Sequence, residues 1–160
     1  MGRAGLQIRA RGHVMERDAR ILIGCSLAII AALLVVGAVS HGVIRHIVQT
    51  SPLWIGIVLG IRGSGWSKWV VLPCFVFWSL VMVAIWLFLL GWAHIVSGTF
   101  SPTEIAMTVV VGVAAIGGTI IAVSIRSGVR ASLAAVSALL VAALQLVAFR
   151  LSFLPQIAHR

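Results

Sequence analysis

Few side chains in this sequence can do chemistry, and most of them lie in two short polar stretches. The 160 residues include three acids, Glu16, Asp18 and Glu104, and five histidines. Away from the two ends of the chain, the ionisable groups placed to act together are His41, Arg45, His46, His94 and Glu104. Imidazole changes charge near neutral pH. Guanidinium is a permanent cation that grips carboxylate or phosphate with a planar fork of donors. Together they could form a proton or anion site in a small transporter or channel component. Against this, no Asp or Glu falls inside an apolar run, where ion-coupled carriers place theirs.

Metal or haem ligation is the minor alternative, through His41 or His46 with His94, because imidazole suits such metals. His41 and His46 are five residues apart, about 140° around a helix, so they do not chelate together. Arg45 beside them opposes a cation, and no cofactor is expected. The sequence has no serine elbow, HExxH or phosphate loop, so an enzyme is less expected than a non-enzyme. Glu104 has a structural explanation. Ser101-Pro102-Thr103-Glu104 reads as a capping box, with Ser101 accepting from a backbone amide and Glu104 reaching back. The simplest account of all five residues is anchoring at the headgroup level.

The elements that must position these groups are apolar. From Trp69 to Thr103 there is no Lys, Arg, Asp or Glu. About 20 apolar residues cross the roughly 30 Å hydrocarbon layer as a helix, and Trp69 and Trp92 bracket such a run. At about 1.5 Å per residue their rings stand about 35 Å apart, near the two interfaces that Trp favours. The whole chain is 61% hydrophobic and 9% charged, against about 25% charged in soluble domains. Too few polar groups exist to coat a water-facing surface. The reading is an all-α, polytopic transmembrane helix bundle of four to five membrane-embedded helices.

The net charge of +9 is spread singly between apolar runs, apart from a basic cluster at the start. Lipid headgroups and topology explain it, and no basic stripe with interleaved aromatics suggests nucleic acid. Cys25 and Cys74 lie within apolar runs and suggest no disulfide framework.

The expected organisation is a basic, disordered lead over 1–19, one helical domain over 20–154, and a tail over 155–160. Helices are expected at about 21–44, 52–61, 68–93, 103–125 and 131–150. In this reading the first helix runs on past the surface, with His41, Arg45 and Gln49 on one face. Ser51-Pro52 then caps and starts a short second helix. Whether that segment crosses decides the count. With five crossings, the lead, the Arg62/Lys68 loop and the Arg126/Arg130 turn share the cytoplasmic side. Four crossings would put the charges against that rule.

Ala114, Gly118 and Ala122 form a small-residue stripe, as do Ala134, Ala138 and Ala142. The short turn between these helices suggests that the stripes face each other. Gln145, within the last apolar run, should find a carbonyl partner. The aromatic side chains of the central helix, Trp78 among them, read as lipid-facing or packing surface.

The expected protein is an accessory, scaffold or interaction subunit in a bacterial-type inner membrane, with its N-terminus cytoplasmic. Its expected partners are the bilayer and other membrane proteins or itself. A small transporter or channel component using the His/Arg cluster is the alternative.

Overall fold

The computed structural model describes the backbone of residues 3–93 and 98–158, and the side chains of 17–93 and 98–157. Its elements are α1 (Arg3–Val39), α2 (Val43–Ile61), α3 (Ser67–Leu89), α4 (Pro102–Ser124), α5 (Ala131–Leu151) and the single turn α6 (Pro155–Ala158). No strand occurs among the described residues. Five helices are long and apolar enough to cross a membrane, with Arg17–Val39 as the apolar part of α1. The backbone of α1 is helical from Arg3, through the stretch read as a lead. Large apolar side chains such as Val113, Val123, Leu139 and Leu140 stand exposed on the outer faces. Water tolerates no apolar surface of this extent; hydrocarbon does.

α3 is the centre of the bundle and packs on α2, α4 and α5, while α1 covers α2 and α4. Phe75, Cys74, Val71 and Trp78 of α3 meet Ile29 and Leu33 of α1, Leu53 of α2, and Val111 and Ala115 of α4 in one buried cluster. Backbones approach closely where glycine permits it, as expected of helices that associate in lipid. A Cβ at Gly118 would stand 2.6 Å from Phe75 Cε2.

Two expectations are corrected. First, helix one does not continue through His41. It closes in a Schellman turn, with Gly42 N–H donating to Gly37 O at 2.8 Å and His41 in the left-handed region at φ 55°. α2 therefore starts at Val43, and Pro52 lies inside it, so it is a 19-residue helix and no short piece beginning at 52. Proline takes away the N–H that would serve the carbonyl four residues earlier. That carbonyl belongs to Val48, and Ser51 Oγ donates to it at 2.9 Å. Ser51 thus repairs the helix that it was expected to begin.

Second, the two small-residue stripes do not meet. α4 packs on α1 and α3, and α5 on α3 and α2. The segment joining them is extended at Ile125 (φ −70°, ψ 127°) and Arg130 (φ −58°, ψ 136°). It crosses the start of α3, where Lys68 Nζ donates to Ile125 O and Trp69 Nε1 donates to Ser127 Oγ at 2.8 Å. That crossing sets α5 on the far side of α3. Gly118 packs under Phe75, and Ala138 is half-buried with no α4 stripe opposite it.

Candidate functional site

The polar residues of α2 are the ones most drawn inward. His46, Gln49 and Thr50 are buried, and α2 has the lowest mean hydropathy of the five spans, 1.2, yet the largest buried share, 44%. Burial of polar groups in lipid requires partners. Thr50 Oγ1 donates to His46 O at 2.9 Å. Gln49 Nε2 donates to Ser152 Oγ at 2.9 Å, and Gln145 Nε2 donates to Gln49 O at 3.0 Å. Gln145 thus finds its carbonyl, on α2, and these bonds tie α5 to α2.

Around this polar stripe lies a cavity of about 640 Å³. Arg45, His46 and Gln49 form one wall, Ser40, Val36 and Leu33 of the α1 end another. α3 contributes Trp78, Met82 and Ile85, α4 Glu104, Thr108 and Val111, and the α5 end Phe149 and Phe153. The charged side chains lie at the mouth, and Gln49 and Thr108 carry polar groups down to the depth of Leu33 and Val111. Ser40, Arg45 and Glu104 lie at the helix ends; Leu33, Trp78 and Val111 lie about two turns, or roughly 10 Å, deeper. The volume lies within the roughly 300–1,000 Å³ of ligand pockets.

Among the described residues, four buried side-chain polar atoms have no hydrogen-bond partner: Arg45 Nε, His46 Nδ1, Trp78 Nε1 and Gln145 Oε1. The first three belong to residues that line this cavity. Buried donors without acceptors are rare in native folds. The Arg45 guanidinium also lies over the Phe153 ring, with Cζ 4.2 Å from its centroid. Glu104 is committed locally: its Oε2 accepts from Ser101 N–H at 2.7 Å, and its own N–H donates to Ser101 Oγ at 3.3 Å. The capping box is formed as read.

Of the five candidate residues, the structure gathers Arg45, His46 and Glu104 around one cavity. His41 is exposed in the α1–α2 turn and does not line it. His94 lies outside the described residues. No group of three or more His, Cys, Asp or Glu close enough to hold a metal ion occurs among the described residues. Sequence reasoning missed Trp78, Thr108, Phe149 and Phe153. For Trp78 no signal existed, because a wall tryptophan and a lipid-facing one look alike in an apolar run. Gln49 had a signal, its spacing of four from Arg45.

Comparison with protein-family models, with curated proteins and with solved structures finds no match to this chain.

Proposed function

We propose that this multi-pass membrane protein is a ligand-binding subunit, a small transporter or channel component whose working part is the chamber beside Arg45. The observation that carries this reading is the grouping of three unpartnered buried polar atoms on one cavity. Interfacial anchoring alone would leave Arg45 and His46 facing headgroups, not enclosed with Trp78.

A second reading, an accessory or scaffold subunit, has one observation in its favour. Only 17% of the α5 span is buried, the least of the five, so α5 offers a broad face to another membrane protein or a second copy. We place the protein in a bacterial-type inner membrane with its N-terminus cytoplasmic. Arg17, Arg20, Arg62, Lys68, Arg126 and Arg130 support that placement, since the helix ends bearing them lie at one end of the bundle, opposite Arg45 and Arg150.

Cysteine labelling tests the chamber. With Cys25 and Cys74 replaced by Ala, Met107→Cys on the wall should react with a charged, water-soluble thiol reagent. Val109→Cys on the outer face of α4 should not. Equal labelling of the two would overturn the reading.

A further inference from the structure

Resting on the chamber reading, we infer that the ligand is an anionic amphiphile, with a carboxylate or phosphate head at Arg45 and a hydrocarbon body toward Trp78 and Val111. Three features of the walls select this class. The unpartnered groups at the mouth include a fixed cation: Arg45 stacks on Phe153, which leaves the edge of its guanidinium to donate in the plane. The one acid among the described wall residues, Glu104, is held by the Ser101 amide at the start of α4, where the helix dipole favours a negative charge. Its charge is thus answered by its own helix, and Arg45 has no carboxylate partner among the described residues.

Below the mouth the walls are largely apolar, Leu33, Met82 and Val111, with Gln49, Thr108 and Trp78 Nε1 as the polar groups among them. A small hydrophilic anion would leave that depth unfilled, and a neutral hydrocarbon would leave Arg45 unanswered. An amphiphile from either source, a membrane lipid or a water-borne acid, would lie with its head at the surface and its chain inward. This matches the place of Arg45 at a helix end and of Leu33, Met82 and Val111 farther along theirs.

The test uses the full chain in phosphatidylcholine nanodiscs, with ligand-induced shifts in unfolding temperature as the readout. Decanoate is expected to stabilise the protein at concentrations at least tenfold below those of decanol or acetate. Arg45→Gln should raise the decanoate requirement at least tenfold, and Ala84→Phe, which fills the chamber, should abolish the shift. Arg150→Gln, an exposed arginine at the same end, should change nothing.

Reconstitution with phosphatidylglycerol, followed by mass analysis of lipid retained in neutral detergent, separates the sources. Retention that Arg45→Gln abolishes marks a membrane lipid; a decanoate response without retention marks a water-borne acid. Parity of decanol with decanoate, or an unaffected Arg45→Gln, overturns the anionic class. Parity of acetate with decanoate overturns the amphiphile and leaves the chamber standing. A decanoate response that survives Ala84→Phe removes the chamber itself.

Discussion

Among the described residues two cations lie over aromatic rings, one at each end of the bundle, and they are resolved in opposite ways. At one end Lys68 lies over the Trp69 ring at 4.6 Å, its ammonium donates to Ile125 O, and Trp69 Nε1 donates to Ser127 Oγ. The segment between α4 and α5 has closed over them. At the other end Arg45 lies over the Phe153 ring at 4.2 Å, and neither its Nε nor Trp78 Nε1, deeper on the cavity lining, has a partner. A cation over a ring is therefore tied down at the end where the 125–130 segment supplies it a carbonyl, and keeps an unmet donor at the end where the cavity lining supplies no acceptor. A buried donor costs about 1–3 kcal/mol when unmet, so the Arg45 end carries a cost that the Lys68 end avoids.

Exchanging the roles of the two cations breaks this comparison most directly. Arg45→Gln should weaken decanoate binding at least tenfold while leaving the unfolding temperature unchanged or higher. Lys68→Met should leave decanoate binding unchanged, lower stability by about 1 kcal/mol, and expose the segment 125–130 to protease. Limited proteolysis beside the binding titration checks both halves, and a matching phenotype for the two variants would erase the distinction. Comparable in size is Gly118→Ala, which sets a methyl group against the Phe75 ring between the two ends. Overpacking of this kind costs about 1–3 kcal/mol, and both the clamp and the chamber should loosen together. Ala138→Gly, on the α5 stripe that no α4 stripe meets, should cost less in the same unfolding assay.

A smaller effect should come from the turn between α1 and α2. His41→Gly relieves a left-handed residue and should raise stability by about 1 kcal/mol, with decanoate binding intact because His41 is not on the wall. Smallest is Gln145→Leu. Interhelical hydrogen bonds in membranes average about 0.6 kcal/mol, so loss of the bond to Gln49 O should lower stability by about that amount. If it also altered decanoate binding, the α2–α5 tie would be part of the chamber.

Much of the site was legible in the residue types. Arg45 and His46 stand out in an apolar chain, and Glu104 announced its cap three residues after Ser101. What could not be read was their depth. The first helix was expected to carry His41 outward on the face of Arg45; instead the chain turns at His41 and carries Arg45 and His46 back into the bundle. Pro52 looked like a helix start because a starting proline and a repaired interior one have the same sequence. The repair is visible only when Ser51 Oγ is found on Val48 O.

The sequence by itself determined that this chain forms helices in hydrocarbon. Run length and the scarcity of charge are properties of each segment alone, and lipid acts on each segment separately. It also determined the capped start of α4, because that bond pattern closes within four residues. Which helices touch was decided only by the tertiary structure. Small residues occur on many faces, and apolar burial does not rank the pairings when lipid is as apolar as the core. The choice fell to long-range contacts, Lys68 and Trp69 holding the 125–130 crossing and Gln145 reaching Gln49. By placing α5 beyond α3, those contacts bring Phe149 and Phe153 to the chamber and give Arg45 its ring.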